Sequence, residues 1–455
     1  MDPLPLLNFF SKHASEQATP GTNAWPLKGR IPSRSSPNVT QAFAAALDTL
    51  ATLCVSRQTG QKVAMTVTIP RDNRVIITLS ESTCGVQDTA EFLQQLWGAL
   101  NTICMHRNPS PTGKVEKGHD VFVIVFRHGF LRLRQRIICA WDAAMKFYVH
   151  WEASTTKSGG ESIHGRLTAV FDTLRAVLDS LPGAGTPTQA QTVDIVTQIH
   201  ALYEHCKALS NAEATVQQWL NEYAHASAEP AVFPLRRYLR GCLAMYCKTV
   251  SLIDAATNVD FHDMFARTLH IKTLRPGISP LDYPLDKPFW ESYLADIVDR
   301  CEITGTRTPK LRRALDEEVA HAIATAKEMK HGPLHCELRL LTHHQQQVLA
   351  SPPEKEGELE AETATRPRNY IGTSEPPCYA CGVFIDAYRR KSRGVFNFNP
   401  MYTQVPDPTL QVPWAMPKFG NAAVDRSIQR TVFIQFCLDY AMYIAHQFGF
   451  RRLSQ

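Results

Sequence analysis

A helix does not readily run through Pro376-Pro377, because each ring removes a backbone N–H and crowds the preceding turn, yet proline is well tolerated where a helix begins. The pair stands directly before Cys378-Tyr379-Ala380-Cys381. A helix starting there carries both cysteines in its first turn, three residues apart and on one face. The positive end of the helix dipole favours thiolates at that point. Upstream, Gly332-Pro333 marks a second helix start, followed by Leu334-His335-Cys336-Glu337-Leu338. His335 and Glu337 are two residues apart and would face away from each other in mid-helix, so they can serve one site only from a helix end. Taken alone, Cys-x-x-Cys is also a redox pair or half of a structural metal site, and His-x-Glu arises often by chance. Taken together, two thiolates and one imidazole would give a tetrahedral Zn2+ three ligands and leave one position for water.

The rest of the chain changes character several times. Residues 1–37 are rich in Pro, Ser, Gly and Asn and are expected to be a loose leader. From about Thr40 to Ser56, Phe43, Leu47, Leu50 and Cys54 recur at helical spacing, with Asn38 or Thr40 as candidate cap. Val63, Met65, Val67 and Ile69 then alternate with Ala64, Thr66 and Thr68, and Val75, Ile77 and Leu79 with Ile76, Thr78 and Ser80. Pro70-Arg71-Asp72-Asn73 lies between the two runs, which predicts a β-hairpin. From there to Lys330 the pattern reads as helices broken at Ser154–Glu161 and Leu181–Gln191. Residues 351–369 are acidic and poor in apolar side chains, and an exposed mobile loop is expected. Gln429–Phe448 reads as a closing helix.

With 44% hydrophobic and 20% charged residues in 455, the chain is ordinary globular material, and global disorder is excluded. A net charge of +5 permits a nucleic-acid partner without demanding one. Twelve scattered cysteines point to a reduced compartment. The opening Met-Asp-Pro-Leu-Pro lacks the basic region of a secretory leader, and no apolar run reaches the ~18 residues needed to span a bilayer. A cytoplasmic or nuclear location without membrane contact is expected.

His-x-Glu followed by Pro-Cys-x-x-Cys resembles the signature of the zinc-dependent, cytidine-deaminase-like superfamily. The phrasing Ile371-Gly372-Thr373-Ser374-Glu375-Pro376-Pro377-Cys378-Tyr379-Ala380-Cys381 after His-Cys-Glu-Leu is most similar to an uncharacterised branch expanded in fungi. The likeness covers about Pro333 to Tyr388. It implies a three-layer α/β/α sandwich, zinc held by His335, Cys378 and Cys381, and Glu337 as general acid and base. It further implies hydrolytic deamination of a nucleobase, carried by a free nucleotide or by nucleic acid, single-stranded nucleic acid included. The rival reading is a catalytically idle, zinc-stabilised interaction module whose helical region binds a protein partner.

That family places a helix and hairpin just before the His-x-Glu helix, and here the clear pair lies far upstream. The expectation is therefore a split core: residues 38–83, then a helical insertion over 84–330, then residues 331–455. Ser80-Glu81-Ser82-Thr83 stands where many relatives carry an Asn for sugar contact. Val395–Phe398 is a candidate further strand, and Val412–Pro417 a loop beside the pocket. Trp414 or Tyr379 is a candidate for stacking on a base, with plain packing as the blander reading. The runs Arg127–Arg136 and Arg389–Arg393 are candidate phosphate contacts, with a solvated helix face as the alternative. His331, His343 and His344 are expected to be surface residues.

Overall fold

The structure is a computed structural model, and it describes residues 3–5, 40–57, 60–83, 85–106, 111–155, 161–183, 185–210, 233–281, 286–300, 309–328, 330–350, 367–392 and 400–448. The leader, most of the acidic loop, Arg393 and the candidate strand at Val395–Phe398 lie outside the described residues.

In chain order the elements begin with helix α1 (Gln41–Leu53) and strands β1 (Val63–Thr68) and β2 (Arg74–Glu81). Helices α2 (Val86–Met105), α3 (Pro111–Ile138), α4 (Trp141–Thr155), α5 (Glu161–Ser180), α6 (Gln189–Ser210), α7 (Leu235–Thr257) and the short α8 (His262–Phe265) come next. Then follow β3 (Thr268–Leu274), β4 (Ile278–Pro280), α9 (Lys287–Arg300), α10 (Pro309–Glu328) and β5 (His331–Pro333). Helix α11 (Cys336–Ala350), β6 (Gly372–Thr373), α12 (Tyr379–Ser392) and α13 (Ala422–Phe448) close the list. The fold is α/β, mostly helical with a small sheet. Among the described residues no helix is long and apolar enough to cross a membrane.

The chain divides into two compact units: Met1–Asp48, Lys62–Val86 and His270–Gln455 form one, Thr49–Gln61 and Gln87–Leu269 the other. In the first, four of the described strands form a sheet ordered β3-β2-β1-β6 and two more a separate pair, β4 with β5. β1 and β2 make the hairpin that alternation predicts, in register from Val63 opposite Glu81 to Thr68 opposite Ile76. β1 also pairs antiparallel with β6, setting Ala64 opposite Thr373 and Met65 opposite Gly372. All six residues of β1 are buried, because α11 packs on the hairpin and the strand has a neighbour on each edge. The start of α1 is capped by Thr40, whose Oγ1 accepts from Phe43 N at 3.2 Å. Further along α1, Asp48 ties it to the motif lead-in: its carboxylate accepts from the Tyr370 hydroxyl at 2.7 Å and from Thr373 N at 3.0 Å.

Two findings correct the reading of residues 84–330 as helical throughout. β3 and β4 fall inside that stretch, and the chain from His270 onward groups with the sheet unit rather than only from residue 331. The reason is visible in β3: it sits at the end of the sheet order, and Leu269 is its only fully buried residue. A polar edge strand carries too little apolar alternation to stand out among helices. β4 pairs with β5, Ser279 opposite Gly332, and so holds the chain that delivers His335. A Cβ on Gly332 would lie 2.9 Å from Leu281 Cδ1 and 3.2 Å from the Trp414 carbonyl carbon, so the tight approach requires glycine.

The core of this unit is aromatic: Trp290 of α9, Tyr379 and Phe384 of α12, Phe436 and Tyr440 of α13, and Trp414 are all fully buried. The second unit packs α3 on α7 and α5 on α6. Its buried residues include Leu167, Val170, Phe171, Leu174 and Val177, the stripe the helical spacing predicts.

Candidate metal centre

Two helix N-termini point at one place. His335 immediately precedes α11 and Cys378 immediately precedes α12, with Cys381 in the first turn of α12. The helix of Pro-Pro-Cys-x-x-Cys therefore begins where the prolines require it to. Its entry is pinned by the neighbouring loop: Tyr379 N donates to Thr409 O at 2.9 Å and Asp407 N to Pro377 O at 2.8 Å. His335 Nδ1 lies 3.5 Å from Cys378 Sγ and 3.2 Å from Cys381 Sγ. The three ligand atoms all fall within 4.8 Å of one another, and both cysteines are buried. Zn–S and Zn–N bonds of ordinary length at the tetrahedral angle put N and S about 3.6 Å apart. The donor set and its spacing fit that ion.

The electrostatics are those of donors crowded together out of water. Burial opposes the Cys378 thiolate, but contacts with Cys381 and with the His335 imidazolium outweigh it and hold this thiol well below its ordinary value. Burial and the adjacent Cys378 push Cys381 well above it. Burial pulls His335 down while Cys378 and Glu337 pull it up, and the upward pull wins. Glu337, in the first turn of α11, is buried at 7% exposure. Its charge acts on His335 and Cys381.

Two contacts around the ligands were not legible in sequence. Trp414 Nε1–H donates to Cys381 Sγ at 3.2 Å. Arg339 Nη2 donates to Leu334 O at 2.9 Å, one residue before the histidine. The first joins segments that meet only in the folded chain, and the second is made by a side chain reaching back over the start of its own helix, which a lone arginine does not announce.

The aromatic candidates are packing residues. Trp414 and Tyr379 are each 1% exposed, and Tyr379 donates its hydroxyl to Asp439 Oδ2 at 2.6 Å while stacking on Phe436. Glu81, in the Ser80–Thr83 stretch, is fully buried and accepts from the Thr83 hydroxyl. His344 is not a surface residue: it is buried, with Nε2 2.7 Å from Thr66 Oγ1 of β1. It sits on the face of α11 that covers the hairpin, which a pair of adjacent histidines in a polar stretch gives no reason to expect. His331 is exposed. The Arg127–Arg136 run lies in the second unit, where Arg132 donates to Thr52 O at 2.7 Å. In the other run, Arg389 and Arg390 both pair with Asp386, and Arg389 lies over the Tyr402 ring.

A family model described as "OTT_1508_deam:-like deaminase" matches residues 334–418. No curated protein and no solved structure matches the chain. Residues 334–418 are thus a deaminase-family domain of cytidine-deaminase-like type, with His335, Cys378 and Cys381 clustered inside it.

Proposed function

We propose that this chain is a zinc-dependent hydrolytic deaminase acting on a nucleobase, in a nucleotide or in nucleic acid. The observation that carries the reading is the meeting of His335 with Cys378 and Cys381 at 3.5 and 3.2 Å, inside a deaminase-matched segment and with a buried carboxylate, Glu337, on the adjoining turn. His335, Cys378 and Cys381 would hold the ion. Zinc with three such donors offers one open position and lowers the pKa of water to about 7. Glu337 takes one proton from the attacking water and delivers it to the ring nitrogen, then carries the second, from the added hydroxyl, to the departing amine. The exocyclic C–N bond breaks, a C=O bond takes its place, and ammonia leaves. Proton transfer of this kind contributes about 10²–10⁴-fold.

The hairpin and residues 331–455 belong, in this proposal, to one catalytic core interrupted by the helices of Gln87–Leu269. Pairing of β1 with β6 and packing of α11 on the hairpin support it. The interrupting helices are proposed as a region that selects the substrate or takes a protein partner.

The test is ammonia release by the purified chain over nucleosides, nucleotides and single-stranded DNA and RNA oligonucleotides, with metal content measured alongside. Turnover of one class with one zinc per chain is expected. Zinc without turnover of any class would overturn the enzyme reading, and absence of zinc from gently purified protein would overturn the metal.

A further inference from the structure

We propose that Arg339 is a positioning residue that fixes where His335 stands; the inference rests on the metal reading above. Arg339 is 8% exposed, a cation taken almost fully out of water. Its guanidinium bonds to two separate parts of the fold. Nη2 donates to Leu334 O at 2.9 Å, while Nη1 donates to Glu81 O at 2.9 Å and to Ser80 Oγ at 3.1 Å. Its own backbone N–H donates to His335 O at 2.9 Å. One residue therefore grips the carbonyls of both peptide units that flank the histidine, and anchors them to the last two residues of β2.

The histidine needs such a hold. Among the described residues its ring makes hydrogen-bonding contacts with the two cysteines alone. Metal-binding imidazoles are commonly oriented by a carboxylate or carbonyl on the other ring nitrogen. Here the orientation is delivered through the backbone instead. Packing alone does not call for a cation at this point: a methionine would fill much of the same volume without desolvating a charge, and Arg339 Nε finds no partner at all. What the planar fork adds is geometry, donors held at fixed angles to one another that reach both β2 and the residue before His335.

The experiment measures metal binding, not turnover. Metal-free wild type, Arg339→Lys, Arg339→Met and Ser80→Ala are titrated with Zn2+ against a chelator, and their Co2+ forms are compared by visible absorption. Thermal melting of the metal-free proteins reports the fold separately. Loss of a contact that orients a metal ligand typically costs about 10–100-fold in metal affinity. The lysine and methionine variants are expected to lose that much, with an altered cobalt spectrum as the imidazole shifts, and Ser80→Ala is expected to lose less in the same direction. If the methionine variant does not fold, the lysine and serine variants carry the test. Variants that bind as tightly as wild type with its spectrum overturn the role of Arg339 alone. A wild type that binds neither metal overturns the proposed function as well.

Discussion

The indole N–H of Trp414 donates to the sulfur of Cys381 at 3.2 Å, so a residue of the 400–417 loop acts directly on a candidate metal ligand. Hydrogen bonds to a thiolate stabilise its charge, and this one pulls Cys381 down against burial. Replacing Trp414 by Phe removes the donor and keeps most of the ring. The expected result is about tenfold weaker zinc binding and a shift in the sulfur-to-cobalt absorption of the Co2+ form. Unchanged affinity and spectrum would mean the contact is packing only.

Glu337→Gln separates ligand from proton carrier. The amide is nearly isosteric and cannot accept and return a proton at neutral pH. Zinc content and melting temperature should match wild type, while turnover of the substrate found in the screen should fall by about 10²–10⁴-fold. A Gln variant at wild-type rate would refute the assigned role.

Gly372 is where β6 passes α1. A Cβ there would stand 2.5 Å from Leu47 Cγ and 2.9 Å from the Leu47 backbone, closer than atoms can approach. Gly372→Ala must push α1 away from β6 and strain the Asp48 bonds to Tyr370 and Thr373. Overpacking of this kind costs about 1–3 kcal/mol. Denaturant titration should show that loss in the metal-free protein, with a lower melting temperature to match.

His344 gives the fold a pH dependence. Burial, with lesser contributions from His343 and Lys272, lowers it to about 4. In the unfolded chain it returns to about 6.5. Between those values the unfolded state binds the extra proton, so stability is present above pH 6.5 and is lost as pH falls toward 4. The difference corresponds to roughly 3 kcal/mol in full. Urea titrations of metal-free protein at pH 7 and pH 5 should show a smaller drop in His344→Gln than in wild type. Equal drops would place the acid sensitivity elsewhere.

What could be read from the sequence was what local rules govern. Pro376-Pro377 dictates a helix start whatever surrounds it, so the cysteines' place followed from the chain alone, and strict alternation at Val63–Thr68 announced a strand. The edge strand β3 was invisible because its burial is shallow. His344 was misjudged and the Trp414 bond to Cys381 went unforeseen for another reason: their partners, Thr66 and Cys381, come from other parts of the chain, and nothing in the immediate neighbours of either residue encodes the meeting. Arg339 shows the same limit, since a lone arginine after His-Cys-Glu-Leu looks like any solvated helical residue until β2 is laid beside it.

The pairing of β1 with β6 also sets a timetable for synthesis. Roughly 300 residues separate the two strands, and at about 5–20 residues per second the ribosome takes some 15–60 s to supply the second after the first. Throughout that interval the edge of Val63–Thr68 that will receive Gly372 has no partner. A bare, β-branched edge is a template for pairing with another nascent chain. His335 and Cys381 emerge only late in the same window. On the proposed function, a cell making this protein would have to shelter the hairpin first and load the ion last, so a chaperone that covers β1 during elongation should raise the yield of metal-competent protein more than added zinc does.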